Sequence, residues 1–213
     1  PRSTHCISSA ASDVYKRQEN FNTIMNTLAL FASGSGSNVE NIYKYFAGNG
    51  NVKVGLVLTD NPNAFVLERA KKLNIPHVYF NYKETSSDNI LKTLESYKIT
   101  HVVLGGYLRL IHKEIIRKYK NKIFNIHPPL LPKHGGKGYY GDHVHKSVLD
   151  GNDKESGITI HLVNEEYDKG KILFQKSIPI LDKDTVSSLS SRIHKLEYKF
   201  FPQIIEKYIL NKL

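Results

Sequence analysis

Thr27-Leu28-Ala29-Leu30-Phe31-Ala32-Ser33, followed at once by Gly34-Ser35-Gly36-Ser37-Asn38, sets the architecture of this chain. A short apolar run meets a Gly/Ser turn, and an amphipathic helical pattern opens over residues 38–46. The same rhythm continues downstream. Residues 52–59 read as a strand ending in Asp60-Asn61-Pro62, 64–73 as a helix and 77–80 as a strand. Residues 87–97 form a helix pattern with Ile90, Leu91, Leu94 and Tyr97 on one face. Residues 101–104 (strand), 111–119 (helix) and 122–126 (strand) complete the series. Such alternation predicts the α/β class, with an open, mostly parallel sheet and helices on both faces. Beyond it, residues 130–140 form a glycine- and lysine-rich loop of the kind that serves as a mobile binding element. Residues 157–164 and 171–181 read as two strands making an antiparallel C-terminal edge. Residues 185–210 read as a helix with Val186, Leu189, Ile193 and Leu196 on one face. Pro202 is expected to kink or break that helix, since proline lacks the N–H that bonds four residues back.

In open α/β sheets ligands lie beyond the carboxyl ends of the strands. Two chemistry-bearing segments fall there. The first is Gly34–Asn38, where glycines let the backbone approach a ligand and free N–H groups at a helix start favour a phosphate. Ser35, Ser37 and Asn38 add side-chain donors. No Gly-Lys-Ser/Thr follows, so the loop is not a nucleoside-triphosphate loop. The third glycine position of a dinucleotide fingerprint holds Val39. Asp60 could still act as the ribose acid, so a non-catalytic dinucleotide-binding module stays an alternative, as does a plain helix cap. A single phosphate fits better.

The second segment is Asn125-Ile126-His127-Pro128, with Asp168 downstream. An Asn amide can hold a developing oxyanion, a His can move a proton near neutral pH, and an Asp can orient or stabilise that imidazole. No Ser or Cys nucleophile stands beside them. The set suits direct attack by a substrate amine on a bound acyl group, with Asn125 and a protonated His127 meeting the charge on oxygen. An ordinary loop histidine is the plainer alternative. Asp142-His143-Val144-His145 offers only His-x-His without a third ligand, so no metal is expected.

The net charge is +10, carried by lysines spread along the chain, which favours anionic small molecules over a basic nucleic-acid stripe. A single cysteine, Cys6, excludes an internal disulfide and suits a cytoplasmic setting. No apolar stretch approaches a membrane span. Residues 1–24 lack a helix or strand period and precede the only methionine, Met25. They read as a non-native or disordered tail ahead of one domain at 25–213.

The loop Ser33–Asn38, Ala64-Phe65-Val66-Leu67-Glu68-Arg69-Ala70, Gly106-Tyr107-Leu108-Arg109, Asn125-Ile126-His127-Pro128 with Leu130-Leu131-Pro132-Lys133, and His161 through Asp168 with Gly170 together resemble the phosphoribosylglycinamide formyltransferase family. The resemblance runs from Met25 nearly to the C-terminus. It implies a Rossmann-like formyltransferase fold and transfer of a formyl group from 10-formyltetrahydrofolate, as co-substrate, to the amine of glycinamide ribonucleotide in purine biosynthesis. It implies Asn125, His127 and Asp168 as catalytic residues. Gly34, Ser35, Gly36, Ser37, Asn38 and Glu197 match substrate-binding positions. Lys83, Leu108, Arg109, Ile111, Val163, Asn164 and Asp168 match folate-binding positions, with Lys83 the loosest match. The family implies small-molecule partners, no nucleic acid, no membrane, and a monomer or homodimer. Departures are Ser35 for a common Asn, Pro129 for a common Ser, and a longer loop over 134–142. A formyltetrahydrofolate deformylase shares the trio but carries an extra N-terminal domain and lacks this phosphate loop. Methionyl-tRNA formyltransferase carries an extra C-terminal domain.

Overall fold

Alternating apolar runs and amphipathic segments become alternating strands and helices in the computed structural model, which describes residues 25–136, 138 and 141–213. The segment 1–24, expected to be a foreign tail, lies outside the described residues. The elements are β1 (Asn26–Phe31), α1 (Ser37–Phe46), β2 (Val52–Thr59), α2 (Val66–Lys72), β3 (His77–Tyr79), α3 (Ser87–Ser96), β4 (His101–Leu104) and α4 (Lys113–Lys118). They continue with β5 (Ile123–His127), α5 (Asp142–Asp150), β6 (Glu155–Leu162), β7 (Ile172–Pro179) and α6 (Val186–Ile209). Strand order is β3-β2-β1-β4-β5-β6-β7. The first five strands are parallel, and β6 and β7 run antiparallel at the edge, as expected.

The central strands β1, β4 and β5 are covered on both faces, which is why their sequences read as nearly continuous apolar runs. In β1, Leu28 and Leu30 face a layer containing Val39, Ile42, Leu189, Ile193 and Phe201. Ala29 and Phe31 face the opposite layer with Ile90, Leu94 and Ile115. Each such large side chain, fully buried, contributes about 1.5–3 kcal/mol.

From β1 the chain moves outward to β2 and β3, then crosses back to place β4 on the other side of β1. The carboxyl ends of β1 and β4 therefore bound a crevice at the point where strand order reverses. The antiparallel turnback at β5/β6 has its own consequence. It sets Asn125 opposite His161 and His127 opposite Thr159.

Pro202 does not break the last helix. α6 runs unbroken for 24 residues with Pro202 buried inside it. The carbonyl of Tyr198, four residues before the proline, loses its usual helical donor. The Asn41 amide of α1 donates to it instead at 2.8 Å. The lost bond is thus replaced across the helix–helix contact, a compensation no local pattern reveals.

Candidate active site

A cleft of about 850 Å3 opens at the carboxyl ends of the parallel strands. It is lined by Ser33–Asn38 after β1, by Leu104–Ile111 after β4, by Asn125–Pro128 at the end of β5, and by Asp168, with Glu197 entering from α6. Both segments singled out in the sequence thus open onto one cavity.

The phosphate-type loop owes its shape to Gly36, which caps α1 in the left-handed region at φ 73°. A Cβ there would lie 2.4 Å from Val66 Cγ2 and 2.9 Å from Val66 Cα, so no side chain fits. Val66 N–H donates to the Gly34 carbonyl at 3.1 Å, and Arg69 Nε to the Ser35 carbonyl at 2.8 Å. Arg69 also pairs with Glu40 of α1. The loop is therefore built against the start of α2.

At its front edge Ser33 Oγ donates to Asp60 Oδ1 at 2.6 Å and accepts Leu108 N–H at 3.1 Å. Arg109 Nε donates to the other Asp60 oxygen at 3.2 Å. Both oxygens of Asp60 are engaged in tying two cleft walls together, which leaves the ribose-acid reading without support. At the back edge Glu197, 3% exposed, accepts from Asn38 Nδ2 at 2.9 Å. It also lies 3.0 Å from His194 Nδ1.

The trio comes together as expected, with one addition. His127 Nε2 lies 2.9 Å from the His134 carbonyl, which can only accept, so the Nε2–H tautomer is fixed. His127 Nδ1 then faces Asp168 Oδ2 at 3.7 Å. Asp168 also accepts the Gly136 N–H at 2.9 Å. Asn125 Nδ2 donates to His161 Nε2 at 3.1 Å and lies 3.5 Å from Asp168 Oδ1. His161 donates its Nδ1–H to the Leu162 carbonyl at 2.9 Å, leaving Nε2 as the acceptor for Asn125. Its placement follows from the β5/β6 register, a long-range feature that the sequence alone did not single out.

Asp168 sits in the left-handed region at φ 54°. The turn that presents it needs Gly170, because a Cβ there would lie 1.6 Å from the Leu162 carbonyl oxygen. Burial pushes the Asp168 carboxyl up. The neighbouring His161 and His127 rings and the Gly136 N–H together outweigh burial and hold it below the usual carboxylate value. For His127, burial is the largest influence and lowers its pKa below the ordinary imidazole value. Asp168, the His134 carbonyl and Glu197 oppose that shift, while His161 adds to it. The resting His127 is neutral at neutral pH, a correction to the protonated imidazole expected from sequence. Desolvation wins because the ring is nearly closed off from water.

Of the folate-type candidates, Leu108, Arg109, Ile111, Val163 and Asp168 line the cleft. Leu108 is 48% exposed, an apolar side chain left open at the cavity mouth. Lys83 and Asn164 do not line it. Lys83 is exposed after β3, and its N–H donates to Asn81. Asn164 instead braces the loop before Asp168, donating to the Lys169 carbonyl at 3.1 Å and accepting Glu166 N–H at 3.0 Å. Gly136, Gly138 and Gly141 bring the long loop and the start of α5 to the rim; residues 137, 139 and 140 lie outside the described residues. Among the described residues, no group of three or more His, Cys, Asp or Glu side chains is placed to hold a metal ion, and no helix is long and apolar enough to cross a membrane.

A sequence profile of the formyl transferase family matches residues 26–205. A chloroplastic phosphoribosylglycinamide formyltransferase of Vigna unguiculata is 38% identical over 185 residues, covering 84% of this chain and 59% of that protein. The chain thus spans less than two thirds of this plant relative. The phosphoribosylglycinamide formyltransferase of Bacillus subtilis is 37% identical over 191 residues, covering 87% of this chain and 95% of that protein. The crystal structure of phosphoribosylglycinamide formyltransferase from Bacillus halodurans superposes with a TM-score of 0.79 at 34% identity, covering 86% of this chain and 95% of that one.

Proposed function

This chain belongs to the formyl transferase family and, within it, to the phosphoribosylglycinamide formyltransferases, and we propose that it transfers a formyl group from 10-formyltetrahydrofolate to the amine of glycinamide ribonucleotide. One observation carries this reading: the phosphate-type loop and the Asn125–His127–Asp168 group share a single cleft. A phosphorylated amine anchored at Gly34–Asn38 is thereby directed toward a group able to manage acyl transfer. Glu197, held by Asn38 and open to the same cleft, supplies a carboxylate for polar groups of that substrate.

The residues present fit a folate donor. Exposed Leu108, with Ile111 and Val163, gives apolar surface for a flat heterocycle, and Arg109 gives a cation at the mouth for a carboxylate. The donor supplies a formyl group already bonded to nitrogen. His127 keeps Nε2–H on the His134 carbonyl, so Nδ1 is the ring atom left for proton transfer. Nδ1 takes a proton as the substrate amine bonds to the formyl carbon, and the imidazolium so formed is stabilised by Asp168. Asn125 and that imidazolium meet the charge building on the formyl oxygen in a site poor in water. The proton then passes to the departing nitrogen as the old C–N bond breaks. No covalent enzyme intermediate is needed. Holding the two substrates in line accounts for much of the remaining acceleration.

The test is direct. The protein is mixed with glycinamide ribonucleotide and 10-formyltetrahydrofolate, and formylated ribonucleotide and deformylated folate are measured together. Equal production of both supports transfer. Folate deformylation at the same rate without the ribonucleotide supports a hydrolase instead, and stabilisation by NAD alone supports a dinucleotide-binding module.

A further inference from the structure

His127 and Asp168 are both held by backbone atoms of one short turn. The His134 carbonyl accepts from His127 Nε2 at 2.9 Å, and the Gly136 N–H donates to Asp168 Oδ2 at 2.9 Å. That turn is in an unfavourable conformation for its residue type, since His134 has φ 52°. Something must hold it, and the His134 ring shows what does. Nε2 lies 2.6 Å from Asp153 Oδ2, and Nδ1 lies 3.0 Å from Ser147 Oγ. Ser147 gives its hydroxyl hydrogen to the Val144 carbonyl at 2.9 Å, which leaves its oxygen free to accept from the ring. Asp153 also binds Lys133. The imidazole and carboxylate are shielded, with side chains 12% and 10% exposed. Neither Asp153 nor Ser147 lines the cleft, so neither touches a substrate there.

We propose that the Asp153–His134–Ser147 lock is a positioning device that fixes the tautomer and aim of His127 through the backbone of the 134–136 turn. It rests on reading His127 as the proton-handling group. With the ring held, the His134 carbonyl stays on Nε2 and Nδ1 remains the working nitrogen. With the ring released, the left-handed turn relaxes toward ordinary backbone and the carbonyl withdraws. His127 then samples both tautomers, and Asp168 loses its Gly136 partner. For histidines that bind metals, removing such outer contacts costs about 10–100-fold in activity, and the lower end of that range sets the scale here.

Asp153→Ala tests this better than a change at position 134, where φ would strain most replacements. The full-length chain is labelled on its histidines, and the ring nitrogens of His127 are followed by nitrogen–proton correlation spectra, assigned with His127→Gln. The steady-state constants for both substrates are measured across pH. In Asp153→Ala the single Nε2–H pattern of His127 should give way to a tautomer mixture. Its titration should move to lower pH, because the carbonyl bond that favours the protonated ring weakens while burial and His161 still oppose it. Asp168 and Glu197 continue to favour it. Turnover should fall about tenfold with both KM values within about twofold, as expected for a group that orients without binding. Asp153→Asn, which keeps an acceptor of the same shape, should recover part of the loss. Lys133→Met should leave the His127 signals unchanged. Unshifted His127 signals in folded Asp153→Ala overturn the proposal even if activity or stability drops, and so does an equal shift in Lys133→Met. Should Asp153→Ala not fold, the double variant Asp153→Asn/Ser147→Ala decides on the same spectral criterion. A wild-type chain that forms no formylated product refutes the transferase reading and leaves the spectral result intact.

Discussion

Gly36→Ala puts the sharpest test on the cleft geometry. The new methyl would lie 2.4 Å from Val66 Cγ2, 2.6 Å from Val66 Cβ and 2.9 Å from Val66 Cα. Rotating the valine side chain relieves only the first contact, because the others involve atoms fixed to the start of α2. That start is itself bonded to the loop through Val66 N–H and the Gly34 carbonyl. An L-residue at φ 73° adds about 1–2 kcal/mol of backbone cost. Overpacking of this kind adds about 1–3 kcal/mol. The total is about 2–5 kcal/mol, divided between stability and ligand binding according to whether the loop yields. For a domain of this size each kcal/mol lowers the melting temperature by about 2–4 °C. Thermal melts, circular dichroism and calorimetric titration with glycinamide ribonucleotide read both shares. Gly36→Asn separates the two causes, since Asn tolerates the left-handed region but brings the same Cβ. It should be nearly as damaging as Ala. A Gly36→Ala chain within about 0.5 kcal/mol of wild type in stability, and unchanged in ribonucleotide affinity, would refute the claim that contact with Val66 excludes a side chain here.

Asn125→Ala, His127→Ala and Asp168→Ala should each lower turnover by about two orders of magnitude or more, and their effects should combine sub-additively in steady-state kinetics. The acid limb of kcat/KM should fall below the ordinary imidazole value of about 6.5, since the neutral, buried His127 must survive as base. Asn41→Ala should cost about 1–3 kcal/mol by leaving the Tyr198 carbonyl without its donor. Adding Pro202→Ala, which restores a helical N–H, should return much of that loss in denaturant unfolding. His101, half-buried, has its pKa lowered to about 4, by burial first and then by Lys122. Its folded value is depressed, so the unfolded chain binds the proton more readily. Stability should therefore fall as pH drops from about 6.5 toward 4, and His101→Phe should flatten that fall in pH-dependent melts.

Much of this was legible because it is written locally. The β1–α1 turn shows itself in Ser33–Asn38, since the demand at Gly36 is met by one residue type. Asn125 and His127 announce themselves by standing at the carboxyl end of a buried strand. The features that were not legible are held by partners distant in sequence. His161 reaches Asn125 through the antiparallel register of β6, 36 residues on. Asp60 reads as a ribose acid by its place after β2, yet its two oxygens serve Ser33 and Arg109. Pro202 reads as a helix breaker until Asn41 is seen to satisfy Tyr198, 157 residues away. Lys83 fits a motif loosely but sits exposed in the turn after β3, outside the cleft.

The state of His127 follows the same logic. From sequence, a His beside an Asp suggests an imidazolium, because an opposite charge favours the protonated ring. In the fold, Nδ1 stands 3.7 Å from Asp168 Oδ2, beyond a good hydrogen bond, while the ring is removed from water. Attraction at that distance does not offset desolvation, so the resting ring stays neutral. The same gap suits the proposed proton transfer. In the mechanism proposed above, a substrate proton entering between Nδ1 and Asp168 would convert a poorly satisfied pair into a close ion pair, with the stabilisation realised only as the reaction proceeds. Interactions that strengthen toward the transition state are the ones that raise turnover rather than substrate affinity. For that reason the Asp168 variants should lose turnover far more than they lose binding of either substrate.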